Sequence, residues 1–365
     1  MDLTSTPAQE SLRSEVRSFL EIHCPSERVR ALEAGESGFC SELWGDMAQR
    51  GWFRLGCGAG KHADETCLVD RAVFFEELGR ACTPGPFLAH YETTLALEEF
   101  AETTLCDGLG SGRMRSSLAL LEESGSQALQ SLSLRVSKDR TLSGTKLFVP
   151  WVAGSDVLLV VARDEASRLG LFLVETTAPG LRTRRLPSLD SERVFEVVFD
   201  QVPAELLATR AGGDAGEALE GVLARATILA CAELAGAAGA ALAYAVDYVG
   251  RREQFGRPIG SFQAVQHHCA NMALDADAAH FAVMDVAARV DAGEAPALLA
   301  SRAKVTCSEA ARRVTTVGHQ VLGGVGFLED MDMQLWTRRV KVLESRLGTP
   351  DWHRDRIADA LMLPA

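Results

Sequence analysis

The sequence is poor in basic residues and has no paired cysteine motif. Its 365 residues include 37 lysines and arginines against 50 aspartates and glutamates, a net charge of -13. Nucleic acid is excluded as the main partner, because binding a polyphosphate surface requires a basic excess that releases counterions. The nine cysteines form no Cys-x-x-Cys pair. This usage favours free thiols in a reducing compartment, so we expect a cytoplasmic protein without a metal site.

The N-terminal segment also lacks the basic leader and apolar core of a secretory signal. Thr6, Pro7 and Gln9 instead predict a helix that begins with a capping box. One stretch, residues 226–246, has the length of a membrane span and a single charge, Glu233. It consists mainly of alanine and glycine, which favour close helix contact in a protein core. We therefore predict a buried helix and no membrane association.

The hydrophobic period changes twice along the chain and predicts a multi-domain α+β fold. Residues 1–117 have helical periodicity, which predicts an N-terminal helical domain. Residues 118–210 contain short runs of Val, Leu and Phe between turn residues, typical of an antiparallel β-barrel or sheet domain. Residues 211–365 return to long helices and predict a C-terminal four-helix bundle. This order is not the alternating βα pattern of a dinucleotide-binding sheet.

Two segments interrupt the helices of the last domain. The first, "RREQFGRPIG", begins at Arg251, and it places proline in helical sequence although proline lacks an amide donor. The second, "QVLGGVGF", begins at Gln320. The arginines of the first segment can bind a pyrophosphate, or they can be solvated cations near a helix end. A Gly-Pro corner between two helices is the structural alternative for the break itself.

Arg-x-x-Phe-Gly followed by Gln-x-x-Gly-Gly-x-Gly resembles the acyl-CoA dehydrogenase superfamily, and the three zones match that family's layout over nearly the whole chain. The resemblance implies a flavin oxidoreductase with FAD as cofactor and an acyl-CoA substrate. It also implies an electron-transfer flavoprotein as electron acceptor, by family analogy. In the family, a carboxylate removes an α-proton while the β-hydrogen leaves as hydride to the flavin, which gives a 2-enoyl-CoA.

In that family both segments reach into the flavin site of a neighbouring subunit. The resemblance implies that one set of residues contacts the FAD diphosphate: Arg252, Gln254 and Phe255. It implies that a second set contacts the adenosine half: Gln320, Gly323 and Gly324. These residue types suit the role, because a guanidinium pairs with phosphate oxygens at two positions and glycine lets the backbone approach a ligand.

The family's catalytic glutamate is missing at both of its usual positions. Leu347 precedes Gly348 and Thr349 where the family has Glu-Gly-Thr, and Ala226 occupies the alternative position. Glu233 is the nearest carboxylate by sequence and is a candidate base if it is buried in a cleft. Pairing with an arginine between helices is the alternative that we favour. The identity of the catalytic base therefore stays open.

The β domain also departs from the family pattern. The usual Trp-Ile-Thr flavin contact is replaced by Phe148, Val149 and Pro150. Phe148 can still pack on a ring, but Pro150 has neither a hydroxyl nor an amide hydrogen to donate. Residues 118–130 replace the usual Thr-Glu-Pro and Gly-Ser-Asp contacts. The half-site for the chain's own flavin is degraded, whereas the part lent to a neighbour is intact.

This asymmetry resembles the base-lacking subunit of bacterial heteromeric acyl-CoA dehydrogenases. Those enzymes are α2β2 heterotetramers that shorten bulky side chains such as those of steroids. Our hypothesis is a partner subunit that acts on a bulky acyl-CoA together with a second acyl-CoA dehydrogenase-like chain. One alternative is a self-sufficient homo-oligomeric flavoenzyme with an altered base or altered chemistry. Another is a flavin-free scaffold subunit. The acyl chain's size does not follow from residue spacing.

Overall fold

The structure is a computed structural model that describes residues 3–55, 67–208 and 213–362. Its α-helices are α1 (Pro7–His23), α2 (Ser26–Ala34), α3 (Ser41–Gln49), α4 (Leu68–Arg80), α5 (Phe87–Glu99), α6 (Thr103–Gly110), α7 (Gly216–Arg251), α8 (Gln263–Asp291), α9 (Pro296–Leu322), α10 (Met333–Ser345) and α11 (Pro350–Met362). Its strands are β1 (Ser116–Ala119), β2 (Thr141–Pro150), β3 (Val157–Arg163), β4 (Leu169–Glu175), β5 (Leu181–Leu186), β6 (Val194–Pro203), β7 (Glu205–Ala208), β8 (Glu253–Gln254) and β9 (Arg257–Pro258).

The predicted fold class is confirmed, with strands placed between N-terminal and C-terminal helices. The middle strands form two sheets, of order β1-β3-β4-β7 and β2-β6-β5, which do not close into a barrel. Their pairing is antiparallel except between β1 and β3, which run parallel. Alternate residues of β6 are buried, as the period of two requires, whereas β3 is buried along its whole central part.

The chain divides into two compact units. Unit 1 comprises the described residues of 1–31, 67–83 and 227–365, and unit 2 those of 32–66 and 84–226. The predicted three-domain division at residues 117 and 210 stays a prediction, and its second boundary lies outside the described residues. In unit 1, α9 packs against α8, α10 and α11. In unit 2, side chains from both sheets form one hydrophobic cluster.

The predicted start of α1 is present. The Thr6 hydroxyl accepts from the Gln9 amide nitrogen at 3.3 Å, while the Gln9 side chain accepts from the Thr6 amide nitrogen at 3.0 Å. This reciprocal capping satisfies two amide groups that have no partner inside the helix. Val16, Phe19 and Leu20 then bury one face of α1, as their helical spacing predicts.

Helix α7 crosses α4 in unit 1 at two glycines. A Cβ atom on Gly79 would lie 2.0 Å from the carbonyl oxygen of Glu233, and one on Gly236 would lie 1.8 Å from that of Glu76. Only glycine permits so close an approach of two helix backbones. The most apolar window of α7 is long enough for a membrane span, but 83% of it is buried inside the protein. The alanine- and glycine-rich stretch is therefore a core helix, as predicted.

Candidate functional site

The first interrupted segment forms a hairpin between α7 and α8 in unit 1. Strands β8 and β9 pair Gln254 with Arg257, so Phe255 and Gly256 are the two turn residues. Their φ angles are +56° and +78°, which are the left-handed values of a type I′ turn. Phenylalanine is unfavourable there because its Cβ crowds the backbone in that region. The turn therefore holds an aromatic residue in a strained conformation.

The side chains of this hairpin point outward from unit 1. Phe255 is 92% exposed, and its one ring contact among the described residues is with Phe262, at 6.0 Å between centroids. Gln254 is also exposed, and its side-chain amide donates to the Glu253 carbonyl oxygen at 2.8 Å. A strained and exposed aromatic residue contributes little to the stability of its own chain. Strained backbone of this kind clusters at sites that bind ligands or other molecules.

The three arginines of this segment differ in their partners. Arg251 forms an ion pair with Asp247 one turn earlier. The guanidinium of Arg257 lies over the Phe262 ring, 4.1 Å from its centroid. Arg252 is exposed, and within the described part of the chain its guanidinium has neither an ion pair nor a hydrogen bond. Its main chain is nevertheless fixed, because its amide donates to Tyr248 and its carbonyl accepts from Ile259, both at 2.8 Å.

The second segment ends α9 and opens into a short 3₁₀ turn over Gly323–Phe327. Gly323 has φ 68° and ψ -149°, a conformation that essentially only glycine adopts. No atom lies within 4 Å of a Cβ built on Gly323 or Gly324, so both backbones face open space. Gln320 is exposed at the last turn of α9, and Phe327 is 75% exposed. The backbone of this turn is therefore open to a ligand or another chain.

His319 organises this second segment, and the sequence analysis missed it. Its Nδ1 lies 2.8 Å from the Gly326 carbonyl oxygen and its Nε2 lies 2.7 Å from the Thr337 hydroxyl. Its ring also stacks on Phe327, with centroids 5.1 Å apart. His319 thus ties the glycine turn to α9 and α10. Its position next to Gln320 was the one available signal, and a single histidine beside a motif predicts no role.

Both segments belong to unit 1, and no hydrogen bond or ring contact joins them among the residues that the structure describes. They share open glycine backbones, exposed aromatic side chains and, in the first segment, an unpaired guanidinium. The structure shows no cluster of three metal-ligating side chains in the described ranges. The exposed guanidinium and the open glycine backbones suit an anion or a nucleotide.

The usual position of the catalytic glutamate is a tight turn between α10 and α11. Leu347 and Gly348 have φ angles of +59° and +104°. The Nε2 of His353 donates to the Leu347 carbonyl oxygen at 3.0 Å. Burial, and then the nearby Lys304 ammonium, lowers the pKa of His353 to about 4. The turn is fixed by a neutral histidine, and its Leu347 side chain has no proton-accepting atom.

Lys304 supports the same turn from α9. Its ammonium is fully buried and donates to the carbonyl oxygen of Leu343 at 2.6 Å and to that of Arg346. Burial lowers its pKa to about 8. The two acceptors are main-chain groups at the end of α10, where a cation opposes the negative pole of the helix. Lys304 therefore has a structural role in ending α10.

The other two candidate base positions lie on α7. Ala226 is fully buried and has no polar side-chain atom. Glu233 is 5% exposed, and one of its oxygens forms an ion pair with the Arg339 guanidinium of α10, within unit 1. This is the alternative that the sequence analysis favoured. A carboxylate bound to a buried guanidinium is not available to accept a proton from a substrate.

In unit 2, Phe148 lies at an irregularity in β2. The pairing of β2 with β6 slips between Lys146 and Val149, and Phe148 has a φ of +53°. Its side chain is 54% exposed. Pro150 pairs with Val194 and offers no amide hydrogen at that place. Phe148 therefore presents an exposed ring, but without an adjacent main-chain or hydroxyl donor from Pro150.

The segment of residues 118–130 contains a buried ion pair in place of the family's usual contacts. The Lys146 ammonium donates to Glu122 at 2.9 Å and to the Leu120 carbonyl oxygen at 2.8 Å. Burial alone would raise the pKa of Glu122, but hydrogen bonds from Ser133, Lys146 and Leu134 outweigh it and lower the pKa to about 2. Burial lowers the pKa of Lys146 to about 8. Glu122 is thus committed to the fold of unit 2.

The described residues fit a flavin nucleotide unequally. The open glycines and the unpaired Arg252 of unit 1 suit a pyrophosphate and an adenosine group. Unit 2 offers the exposed Phe148 ring, but Pro150 replaces the residue type that donates a hydrogen bond. The nucleotide-binding features are therefore concentrated on unit 1, and they point outward from it.

Comparisons with known proteins agree with these features. The family model "Acyl-CoA dehydrogenase, N-terminal domain" matches residues 6–105, and "Acyl-CoA dehydrogenase, C-terminal domain" matches residues 216–362. An acryloyl-CoA reductase (NADH) of Anaerotignum propionicum is 28% identical, over 99% of this chain and 96% of that protein.

Two solved structures have the same fold along the whole chain. A variant of the Tcur3481-Tcur3483 steroid ACAD is 30% identical, with a TM-score of 0.87 over 97% of each chain. The ChsE4-ChsE5 complex from Mycobacterium tuberculosis is 25% identical, with a TM-score of 0.88 over 100% of each chain. The name of the first joins Tcur3481 and Tcur3483, and the second is a complex of ChsE4 with ChsE5.

Proposed function

Because the chain belongs to the acyl-CoA dehydrogenase family of flavin-dependent oxidoreductases, we propose that it is the base-lacking subunit of a heteromeric acyl-CoA dehydrogenase. In this proposal, the chain lends its two outward-facing segments to an FAD site that is built mainly by an unlike subunit. The first segment supplies Arg252, Gln254 and Phe255, and the second supplies Gln320, Gly323 and Gly324. The activity of the assembly is α,β-desaturation of an acyl-CoA thioester.

One observation supports this proposal most directly. Arg252 is exposed at the end of a 36-residue helix, while its two arginine neighbours have partners within the chain. An unpaired guanidinium next to a strained and exposed aromatic residue gives the isolated chain no stability. It gives an assembly a fork of donors that matches a diphosphate. The cost of the strained turn is offset only when another molecule is bound there.

The missing base supports a heteromeric enzyme in which the two subunits have different catalytic roles. Bound FAD supplies the acceptor for the hydride that leaves the β-carbon. The α-proton needs a carboxylate within hydrogen-bond reach, but Leu347 and Ala226 have no acceptor and Glu233 is bound to Arg339. The unlike subunit therefore supplies the base, and this chain positions the nucleotide. In this proposal, the exposed Phe148 side chain packs against a ring of the bound flavin.

The names of two similar structures support the finer points. The Tcur3481-Tcur3483 enzyme is a steroid ACAD, and ChsE4 forms a complex with ChsE5. By this similarity the partner is a second acyl-CoA dehydrogenase-like chain, the assembly is a heterotetramer and the substrate is a bulky acyl-CoA. By family analogy the electron acceptor is an electron-transfer flavoprotein. We place the assembly in the cytoplasm, in agreement with the buried α7 and the free cysteines.

The two alternatives, a self-sufficient homo-oligomer and a flavin-free scaffold, have less support from the structure. A self-sufficient homo-oligomer requires a base, and the ion pair of Glu233 with Arg339 argues against the candidate that the sequence offered. A flavin-free scaffold has no use for an unpaired Arg252 at an open turn. Neither alternative is favoured by a specific observation.

Flavin content tests the proposal. The chain is produced alone and together with a second acyl-CoA dehydrogenase-like chain from the same organism, and FAD per subunit is measured by visible absorbance after purification. We expect almost no FAD in the chain alone, and a co-purifying, fully loaded complex. In the complex, Arg252→Gln should lower FAD affinity by about tenfold or more. Arg251→Gln is the matched control and should leave FAD affinity within about twofold, because that arginine pairs with Asp247.

Three outcomes would overturn the proposal. Full FAD content and turnover in the chain alone would show a self-sufficient enzyme. Equal losses of FAD affinity in the Arg252 and Arg251 variants would show that the nucleotide responds to the total positive charge at the helix end. The unpaired Arg252 guanidinium would then have no specific role. A complex that forms without any flavin would support the scaffold alternative.

A further inference from the structure

Unit 2 contains a cavity that the proposed function does not use. Its volume is about 510 Å³, which is in the range of small-molecule sites. It lies where β5 ends and β6 begins, and its lining includes Glu36, Phe39, Trp151, Arg185, Arg193 and Phe195. Phe148, the flavin contact predicted in this unit, is not part of that lining. Two arginines and three aromatic residues therefore surround one space.

Arg193 is a buried cation that forms no ion pair with a carboxylate in the described part of the chain. It is 5% exposed, and its guanidinium donates to main-chain carbonyl oxygens at Ser191, Glu33 and Gly35, at 3.1, 2.8 and 2.8 Å. Its Nε has no hydrogen-bond partner among the described residues. Burial, and then the nearby Arg185 cation, lowers the pKa of Arg193, and the Glu33 and Asp190 carboxylates only partly oppose this. A buried cation of this kind is costly unless a bound anion compensates it.

Gly38 provides the room for this guanidinium. Its φ is +74°, and a Cβ atom built on it would lie 2.5 Å from the Nε of Arg193. No real side chain tolerates that distance without moving the guanidinium. The backbone of residues 33–38 therefore both accepts hydrogen bonds from Arg193 and leaves space for it. The hydrogen bonds that hold the guanidinium all go to main-chain carbonyl oxygens among the described residues.

Arg185 adds a second cation to the same cavity. The arginines on the opposite face of β5 are paired, Arg182 with Asp200 at 3.8 Å and Arg184 with Glu196 at 2.7 Å. Because side chains alternate along a strand, Arg185 points to the other face from Arg184. There it lies opposite Phe195 in the strand register. Among the described residues it is exposed and has no ion pair.

Aromatic rings provide the apolar walls of the cavity. Phe39 and Trp151 meet edge to face, with ring centroids 5.8 Å apart. Trp151 has a φ of +54° and is buried, so its indole is held in a fixed orientation. Rings of this kind bind flat apolar groups, while guanidinium groups bind oxyanions. The cavity therefore combines a flat apolar wall with a cationic end.

We propose that this cavity binds a small molecule with an oxyanion on a flat hydrophobic body. Arg185 and Arg193 hold the oxyanion, and Phe39, Trp151 and Phe195 enclose the body. Glu36 lines the same space and weakens the attraction for anions, since it is exposed and negatively charged. A carboxylate and a phosphate share the required chemistry. The site is independent of the FAD proposal, because it uses none of the residues assigned to the flavin.

Calorimetric titration of the full chain tests this site. The probes are benzoate for a carboxylate, phenyl phosphate for a phosphate and benzyl alcohol as the neutral match. We expect at least one anionic probe to bind in the millimolar range or tighter, and benzyl alcohol to bind at least about tenfold more weakly. The stronger of the two anionic probes identifies which oxyanion the site prefers.

Variants along β5 provide the controls. Arg185→Gln should weaken binding of the anionic probe about tenfold, and Arg184→Gln, on the opposite face, should change it by less than about twofold. Glu36→Gln should strengthen binding about twofold by removing the competing charge. These three side chains are exposed, so the variants are expected to fold.

Three results would overturn the assignment. The first is equal binding of benzyl alcohol and both anions, which would show an apolar cavity without anion recognition. The second is equal weakening by the Arg185 and Arg184 variants, which would show a general charge effect. The third is the absence of binding heat for either anion up to about 10 mM, a concentration at which a site of the proposed kind is occupied.

Discussion

The middle and the end of α7 place polar groups in opposite situations. In the middle, Glu233 is buried and paired with Arg339, and Gly236 touches the backbone of α4. At the end, Arg252 is exposed and has no ion pair among the described residues, and Phe255 is strained and exposed. One helix therefore combines a region whose polar groups are paired within the chain with a region that we propose is completed by another subunit.

This difference predicts where substitutions act. Changes in the middle of α7 should lower the free energy of unfolding, because buried groups lose their partners. Changes at its end should leave that free energy almost unchanged and affect binding to another molecule. Measurements of unfolding and of FAD binding on variants of both regions distinguish these two effects.

The largest effect is expected from breaking the buried ion pair. Arg339→Met leaves Glu233 buried without its cation, which should lower the free energy of unfolding by about 3–5 kcal/mol. Urea unfolding of the isolated chain measures this loss. The double variant Glu233→Leu with Arg339→Met should recover most of it, because it removes both charges together.

Lys341→Met is the matched control for this prediction, because Lys341 lies on α10 together with Arg339. Lys341 pairs with Glu344 at 3.0 Å on an exposed surface. Its loss should cost less than about 0.5 kcal/mol. If Arg339→Met costs no more than Lys341→Met, then Glu233 does not depend on Arg339. It would then return as a candidate base.

The second effect concerns the crossing of α4 and α7. In Gly236→Ala the new Cβ would lie 1.8 Å from the Glu76 carbonyl oxygen, so the two helix backbones must move apart. We expect a loss of about 3 kcal/mol in the free energy of unfolding. Gly239→Ala, one turn later, meets no atom within 4 Å and should stabilise the chain by up to about 1 kcal/mol. Equal melting temperatures of the two variants would disprove this close crossing.

The third effect extends the comparison to the turn at Leu347. His353 has a pKa of about 4 in the folded chain, against about 6.5 when unfolded. Between these values the unfolded state binds more protons, so this contribution is complete above pH 6.5 and is lost as the pH falls towards 4. One group contributes at most about 1.4 kcal/mol per pH unit.

Unfolding at pH 7 and pH 5 measures this dependence. His353→Gln should lose less stability than the wild type between the two pH values, since it does not titrate. His23, whose ring lies tilted against the Phe19 ring, provides a control by the same substitution. An unchanged pH dependence in His353→Gln would mean that the neutral histidine does not fix this turn.

The sequence predicted local features better than pairings between distant residues. The capping box of α1 and the burial of α7 follow from residues close together in the chain, and both are present. The partner of Glu233 lies 106 residues away, so spacing along the chain did not identify it as Arg339. The parallel pairing of β1 with β3 likewise depends on contacts that a single strand's pattern does not contain.

The candidate site shows the same limit. Motif spacing predicted breaks in the helices near Arg252 and near Gly323, and α7 and α9 end at these places. The roles of Arg252 and the glycines in binding FAD stay predictions. Motif spacing did not identify which of the three arginines would have no partner. That depends on where Asp247 and the Phe262 ring lie in the folded chain. The left-handed conformation of Phe255 was also hidden, because phenylalanine rarely adopts it.

The smallest change in the free energy of unfolding is expected at the Phe255–Gly256 turn. The sign of this change is the sharpest test of the difference between the middle and the end of α7. Phe255→Asn creates the Asn-Gly pair that type I′ turns favour and removes the strain of an aromatic residue at φ +56°. We expect a gain of about 0.5 kcal/mol in the free energy of unfolding of the isolated chain. In the complex, the same change removes an exposed ring that we assign to the partner's FAD site, so FAD should dissociate about tenfold faster. A more stable isolated chain together with faster FAD dissociation from the complex would show that Phe255 serves the assembly, in contrast to the buried groups in the middle of α7. Destabilisation of the isolated chain would show instead that Phe255 serves its own fold.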